Sequence, residues 1–464
     1  MDILIALAAL SLLMVAAYRG HSVIVFAPIA AMTAVLLTRP DAVAPLFSGV
    51  FMEKMVGFLK LYFPVFLLGA IFGKLIERSG LARVLVATIS RTLGKRHAML
   101  AIVLVCSLLT YGGVSLFVVA FAVYPFAAEL FREADIPKRL IPGTIALGAF
   151  TYTMDALPGS PQIQNIIPTT FFGTTTWAAP RLGLLGALLV FGLGITWLER
   201  QRRLAQARGE GYGNGHRQEP EAPEDMPAVH PWIAAVPLLL VFGSNIAFTS
   251  LVAGTYGSTI RLDAMGVVGG GELAVSKLQA VWAVEGALLV GIASLGVIGF
   301  RALSRGLASH VQAATAGAML AGLNTASEYG FGGVIACLPG FRAMQEGLAG
   351  LVSDPLISEA VTTTTLAGIT GSASGGMSIA LGAMADTYRQ QAAVLGIPDE
   401  VLHRVASMAS GGMDTLPHNG AVITLLAVTG LTHRESYRDI LVMTMFKTVA
   451  VFLVIALYRM TGLV

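Results

Sequence analysis

Long apolar runs separated by short polar segments occupy most of the chain. Runs such as ILIALAALSLLMVAA near the start and LGLLGALLVFGLGITWL from residue 182 approach the roughly 20 residues that cross a bilayer. The first run has no basic stretch before it, so it is interpreted as a span rather than a cleaved signal. The pattern predicts spans at about 3–18, 22–38, 58–76, 139–172 (broken), 180–198, 231–252, 277–299, 310–336, 402–431 (broken) and 439–460. It therefore predicts an all-α polytopic membrane protein.

Two further apolar regions, 97–131 and 354–391, are interrupted near their middles by the glycine-rich phrases TYGGVSLF and GSASGGMSIA. Their arms are short for a span, which favours a re-entrant hairpin. Non-helical backbone at membrane depth is tolerated only inside protein or against a water-filled cavity. Both hairpins are therefore expected to border a site.

An acidic, proline-containing phrase occurs once in each half of the chain. It is written MDALPGSP at 154–161 and MDTLPHNG at 413–420. Proline removes a backbone donor and disrupts the preceding turn, so each phrase predicts a broken helix. The acids, Asp155 and Asp414, are functional candidates because a charge at bilayer depth costs several kcal/mol. The alternative is a purely structural role, in which each acid caps the half-helix that follows.

Matching phrases occur in the same order in both halves, which predicts an internal duplication. The glycine tips, an Ile-Pro pair and the MD-x-LP phrase all recur. We expect a first repeat at 1–198 and a second at 231–464, joined by a polar, cytoplasmic linker at 199–230. Basic residues cluster in 74–96 and 200–208, which places both segments in the cytoplasm. With about five spans plus a hairpin and a broken helix each, the repeats are inverted, as in secondary transporters.

The hairpin tips and the residues after the breaks supply the candidate binding groups. Glycine lets backbone amides approach a ligand closely, and hydroxyl or amide side chains can bond a carboxylate. Small residues for helix packing are the alternative. Another intramembrane acid, Glu328 in NTASEYGFGG, joins the two aspartates as a candidate for cation coupling. The substrate-binding candidates are Gly113, Ser115, Gln162, Asn165, Ser374, Gly376, Ser378, His418 and Asn419.

Composition narrows the function. Only 12% of the 464 residues are charged, about half the share in soluble domains. The sequence has no basic arm for nucleic acid and no phosphate-binding loop, and we expect neither a cofactor nor a metal. No arginine is expected near the breaks, which favours a monocarboxylate substrate over a dicarboxylate.

Three phrases carry a resemblance to a known family. LPGSPQIQNIIPTTFFGTTTWAAP, NTASEYGFGG and GGMDTLPHNGAVI resemble the gluconate permease family of the ion transporter superfamily, over most of residues 22–460. The resemblance implies proton-linked symport of gluconate or a related hydroxy acid in a bacterial inner membrane. It also implies a homodimer whose hairpins and broken helices move against a fixed scaffold. The break phrases differ from the Pro-Pro-His-Pro type of the sugar-acid members, so 3-hydroxybutyrate is as good an expectation as gluconate.

The sequence therefore predicts a transporter rather than an enzyme. Its partners would be a small carboxylate, the lipid bilayer and a coupling cation, for which protons are favoured over sodium. Two alternatives stay open: an intramembrane aspartyl protease, because GGMD at 411–414 faintly resembles a Gly-x-Gly-Asp site, and a solute channel.

Overall fold

The chain folds almost entirely into α-helices. The structure is a computed structural model that describes residues 2–19, 21–216, 219, 229–266, 271–304, 306–340, 354–417 and 419–464. Within them the α-helices are α1 (Asp2–Tyr18), α2 (Val23–Thr38), α3 (Val43–Leu46), α4 (Met52–Arg78), α5 (Leu81–Leu93), α6 (Ala98–Tyr111), α7 (Leu116–Glu133), α8 (Ile141–Ala149), α9 (Tyr152–Asp155), α10 (Ile163–Phe172), α11 (Pro180–Ala207), α12 (Pro231–Tyr256), α13 (Val275–Ile298), α14 (Phe300–Leu303), α15 (Leu307–Cys337), α16 (Pro355–Thr370), α17 (Ala373–Val394), α18 (Asp399–Ser410), α19 (Gly420–Thr429) and α20 (His433–Thr461). Two short strands, β1 (Thr259–Arg261) and β2 (Glu272–Ala274), pair antiparallel between α12 and α13.

Five of the described helical segments are long and apolar enough to cross a membrane, and a sixth would be α5 with α6, which are bent by 108°. Apolar side chains such as Leu188, Leu239 and Val297 are exposed on these helices, as expected where lipid replaces water. The all-α polytopic membrane fold is thus confirmed. Several other predicted spans are helices too short to cross alone, such as the 16-residue α2.

Both glycine-rich regions form pairs of neighbouring helices. In the first hairpin, α6 and α7 are joined at 112–115, and Lys95 and Glu133 at its open end form an ion pair of 3.4 Å. In the second, α16 and α17 are joined at Gly371 and Ser372. A Cβ on Gly376 would lie 2.1 Å from the backbone N of Ala367, so glycine allows these two arms to pack closely.

Each MD-x-LP phrase lies at a helix break. The first break separates α9, which ends at Asp155, from α10, which begins at Ile163. The second separates α18, which ends at Ser410, from α19, which begins at Gly420. Each break is several residues long, because the new half-helix begins beyond the proline rather than directly after it.

Helix packing separates the chain into two groups. In one, α4 packs against α13 and α15, α12 packs against α13, and α2 packs against α1 and α15. In the other, α20 packs against α8, α11, α16 and α18, and α10 packs against α17 and α18. The hairpins and broken helices belong to the second group, and α15 meets it through α17.

The segment predicted as a polar linker at 199–230 is helical in its first part. Helix α11 continues through it to Ala207, because the polar residues after 198 extend the helix beyond its apolar stretch. Farther on, Glu210 accepts two hydrogen bonds from Arg139, at 2.6 and 2.9 Å. Glu219 accepts from the buried Lys138 at 3.0 Å. The described part of the linker is therefore held against the turn between α7 and α8.

Candidate functional site

A buried lysine joins the two helix breaks. Nζ of Lys447, on the last helix α20, lies 3.0 Å from Oδ2 of Asp155 and 3.2 Å from Oδ1 of Asp414. It also donates to the carbonyl of Phe150 at 2.8 Å. The exposed fractions of Lys447, Asp155 and Asp414 are 2%, 3% and 8%. The two acids, which are far apart in sequence, thus share one ammonium group in an interior site.

The glycine of GGMD makes room for this cluster. A Cβ on Gly411 would lie 2.0 Å from Oδ2 of Asp155 and 2.3 Å from Nζ of Lys447. Real Cβ contacts are never so short, so any side chain here would displace the charged groups. The same helix α20 holds the loop of the second break, because Thr444 bonds Thr415 and Thr448 donates to the carbonyl of Gly412.

A buried arginine binds the first break from the other half of the chain. Arg404, on α18, is fully buried. Its Nη1 donates to the carbonyl of Ala156 at 3.1 Å, and its Nη2 donates to the carbonyl of Ala178 at 2.7 Å. On the same helix, Ser407 donates to the carbonyl of Asp155 at 2.7 Å. Carbonyls freed by the break therefore find donors on α18.

This arrangement overturns the expectation that no arginine lies near the breaks. The basic group comes from sequence just before the second break and reaches the first break through tertiary packing. Its guanidinium bonds carbonyls and the side chain of Asn165, so it stabilises backbone within the protein. The predicted preference for a monocarboxylate over a dicarboxylate therefore receives no support from a lack of arginine.

The structure also contradicts the capping alternative for the two aspartates. Asp155 is the last residue of α9, and α10 begins with Gln162 at its N-cap. In the second break, Asn419 is the N-cap of α19 and accepts from the backbone N of Ala421 and Val422. Neither acid caps the following half-helix; both side chains face Lys447 instead.

Amide side chains tie each break to the hairpin of its own half. Nε2 of Gln162 donates to the carbonyl of Thr110 at 2.6 Å, at the end of the first hairpin's first arm. Nδ2 of Asn419 donates to the carbonyl of Gly371 at 2.7 Å, in the turn of the second hairpin. Two of the predicted binding residues therefore hold the hairpin tips in place.

Asn165 makes its hydrogen bonds inside the protein. Its amide nitrogen donates to the carbonyls of Ser160 and Thr176, each at 2.9 Å. Its oxygen accepts from Arg404 at 3.1 Å and lies 3.2 Å from Nε2 of His403. Asn165 thus acts as a structural connector between the halves.

Glu328 lies against the second hairpin. It projects from α15, is 3% exposed, and one of its carboxyl oxygens, Oε2, has no partner among the described residues. A Cβ on Gly375 would lie 1.8 Å from that oxygen. One turn earlier on α15, Thr325 bonds Ser374 at 3.3 Å. The structure therefore places Glu328 at the contact between α15 and the hairpin tip, with Ser374 beside it.

The other predicted residues are placed as follows. Gly113 adopts a left-handed φ of +92° in the tip of the first hairpin, and Ser115 is the N-cap of α7 without a side-chain capping bond. Ser378 on α17 is fully buried, and its Oγ has no partner among the described residues. His418 lies outside the described residues.

Lys447 and Arg404 are the functional candidates that the sequence analysis missed. Both could have been found by the rule that singled out Glu328, because an ionisable residue inside an apolar helix is unusual. Lys447 lies in LVMTMFKTVAVFLV and Arg404 in VLHRVASM. The sequence did not show that both meet the first break.

Comparison with known proteins agrees with a membrane transporter. No family model matches the chain. It is 57% identical over 472 aligned positions to an uncharacterized transporter, YxjC, of Bacillus subtilis strain 168, and the match covers all of both chains. This chain belongs to the YxjC family of transporters.

A more distant likeness concerns the fold alone. The crystal structure of the YdaH transporter of Alcanivorax borkumensis superposes with a TM-score of 0.53 at 16% identity, over 92% of this chain and 90% of that one. For a transporter, a buried charge cluster between two broken helices is the expected place for solute or ion chemistry.

Proposed function

We propose that this transporter is a proton-coupled symporter of a small hydroxylated monocarboxylate, such as 3-hydroxybutyrate or gluconate. The observation that carries the proposal is the position of Lys447 between Asp155 and Asp414. A carboxylate that shares an ammonium group with a second carboxylate can take up a proton without leaving an isolated buried charge. The two aspartates thus provide a proton acceptor whose deprotonated form is tolerated inside the membrane.

Charge balance explains why the proton and the carboxylate would travel together. The ionised groups at the breaks are two acids, Asp155 and Asp414, and two bases, Lys447 and Arg404, so the empty site is neutral. A monocarboxylate alone would make it negative, and a proton alone would make it positive. Moving an uncompensated charge through the membrane is costly. The site is neutral when it is empty and when it carries both the proton and the carboxylate. These are therefore the two states in which the site crosses the membrane.

The N-terminus of α10, the half-helix after the first break, is a better binding site for the substrate carboxylate than the N-terminus of α19. Helix α19 is capped by the side chain of Asn419, whereas α10 begins at Gln162 without a side-chain capping bond. Uncapped amides at a helix start favour an anion. Gln164, in that first turn, is 7% exposed, and its Oε1 has no partner among the described residues. This oxygen suits the hydroxyl group of a hydroxy acid.

The moving unit needs to be larger than the hairpins and broken helices. Lys447 belongs to α20, which packs against α8, α11 and α18. If the acids moved without it, two carboxylates would be left buried and unpaired. We therefore place α20 and α11 in the moving unit, and α1, α2, α4, α12, α13 and α15 in the scaffold.

The remaining parts of the proposal rest on the family resemblance and the repeated phrases. They are membership of the gluconate permease family, inverted repeats at 1–198 and 231–464, a homodimer, and location in a bacterial inner membrane. Glu328, at the contact between scaffold and hairpin, is proposed as a further proton-binding group.

The site does not favour the two alternatives. An aspartyl protease uses two carboxyl groups that share one proton, whereas here an ammonium group lies between the acids and contacts both. A channel needs a continuous polar path, whereas here the charged side chains are buried and paired with one another.

Uptake by the purified protein in liposomes tests the proposal. With an inward proton gradient, labelled 3-hydroxybutyrate or gluconate should accumulate, and a protonophore should collapse the accumulation. Protein-free liposomes and a sodium gradient without a pH difference serve as controls. If neither acid accumulates while an amino acid does, the proposed substrate class is wrong. If a sodium gradient alone drives uptake, the proposed coupling to protons is wrong.

A further inference from the structure

A further buried carboxylate lies on the first arm of the second hairpin, away from the helix breaks in sequence. Glu359, on α16, is fully buried, and neither of its carboxyl oxygens has a partner among the described residues. Asp155 and Asp414 share Lys447, but Glu359 has no ion pair among the described residues. A buried, unpaired carboxylate is costly, so this group requires a counter-charge or a proton.

Two threonine hydroxyl groups lie on the same face of α16 as this carboxylate. Thr362 and Thr363 follow it by three and four residues, which places them on the same face of the helix. Neither hydroxyl has a partner among the described residues. Threonines elsewhere in the helices, such as Thr144 and Thr429, donate to the carbonyl four residues earlier.

A tyrosine from the second arm completes the set. Tyr388, on α17, is fully buried and lies near Glu359 and Thr362. Its hydroxyl donates to the sulfur of Met384 at 3.2 Å, which is only a weak acceptor. Carboxylate and hydroxyl oxygens are the ligands that hard cations prefer.

We propose that Glu359, Thr362, Thr363 and Tyr388 bind a sodium ion that holds the two arms of the second hairpin together. One carboxylate balances one monovalent charge, whereas a divalent ion would leave a net positive charge in the membrane. The ion satisfies the carboxylate and the hydroxyl oxygens at the same time. The site is separate from the proton centre at the breaks and does not depend on the proposed substrate.

The N-terminal end of α16 lies near the protein surface. Asp354, the N-cap of this helix, forms an ion pair of 2.6 Å with Arg459 near the end of α20, and both side chains are partly exposed. Glu359 lies five residues farther on, about 7.5 Å along the helix axis. Glu359 therefore lies less than two helical turns from this partly exposed ion pair.

Thermal unfolding of the purified protein, without substrate, tests the inference. Sodium chloride should raise the Tm by at least about 2 °C relative to equal concentrations of potassium or choline chloride. Glu359→Gln should lose the sodium-dependent rise, and Thr363→Val should weaken it. Thr364→Val is the matched control on the same helix, because this hydroxyl already donates to the carbonyl of Ala409.

The outcomes separate this site from others. A sodium-dependent rise that is lost in Glu359→Gln and kept in Thr364→Val supports the proposal. The proposal is overturned by an equal rise with potassium, by no rise at all in the wild type, or by a rise that survives in Glu359→Gln. It is also overturned if Glu328→Gln, not Glu359→Gln, removes the rise. If Glu359→Gln does not fold, the effect of Thr363→Val against Thr364→Val decides.

Discussion

Nζ of Lys447 lies 3.0 Å from Oδ2 of Asp155, although one residue is in the last helix and the other in the first helix break. The lysine also holds Asp414 of the second break. One side chain thus makes a single charged centre from two phrases that the sequence repeats.

Replacing the lysine should destabilise the protein. Lys447→Met leaves two buried acids without a counter-charge, and loss of one partner of a buried pair costs about 3–5 kcal/mol. The loss should be smaller when Asp155→Asn is already present, because one unpaired carboxylate is then removed. Unfolding of the wild type, both single variants and the double variant measures this coupling. Strictly additive effects would show that the two groups do not interact.

A methyl group at Gly411 should disturb the centre. Gly411→Ala places a Cβ 2.0 Å from Oδ2 of Asp155 and 2.3 Å from Nζ of Lys447, so we expect at least a tenfold loss of proton-driven uptake. Gly420→Ala is the matched control, because a Cβ there has no neighbour within 4 Å. Equal uptake by both variants would mean that the charged cluster is not needed in its present geometry.

The arginine that binds the first break should not be replaceable by lysine. Arg404 bonds the carbonyls of Ala156 and Ala178 through different nitrogen atoms, and a single ammonium group cannot reproduce that fork. We expect Arg404→Lys to cost about 1–3 kcal/mol, because buried carbonyls lose donors. Arg389→Lys, in the exposed pair with Asp399, is the control and should cost less than about 1 kcal/mol. A similar cost for both would contradict this role of Arg404.

How much of this could be predicted from the sequence depends on whether a feature is local. Helix ends follow from glycine and proline, which act on their own neighbourhood: α6 ends beside Gly112-Gly113, and α9 ends shortly before Pro158. The all-α membrane fold likewise follows from the apolar runs. Contacts between residues far apart in sequence cannot be predicted in this way, because they depend on how distant helices pack.

Gln162 and Asn419 show the same limit at the candidate site. The sequence predicts that both lie beside a ligand, and both lie beside the hairpin tips. Their amides, however, are bonded to the carbonyls of Thr110 and Gly371. Sequence indicated where polar groups gather, but not which of them are already used within the protein.

The stability that the linker contributes through Glu210 should depend on pH. Two hydrogen bonds from Arg139 lower the pKa of Glu210 below its ordinary value of 4.5. Because the folded-state pKa is below the unfolded one, the pair stabilises the fold above about pH 4.5, and this is lost as the pH falls through the folded-state value. Glu210→Gln should therefore lower the Tm slightly at pH 7, and the difference in Tm should narrow as the pH falls below about 4.5. A difference independent of pH would show that the ionised pair is not its cause.

The central claim is that the two acids couple solute transport to protons, and the Asn variants test it most directly. Asp155→Asn and Asp414→Asn should each abolish uphill, pH-driven accumulation in liposomes, because Asn cannot carry a proton between the two faces. Substrate exchange down its own gradient should survive in at least one variant, because exchange does not require proton release. Asp386→Asn, at an exposed acid on α17, should transport like the wild type. Accumulation at the wild-type level by both Asp155→Asn and Asp414→Asn would contradict the account and leave Glu328 as the next acid to test.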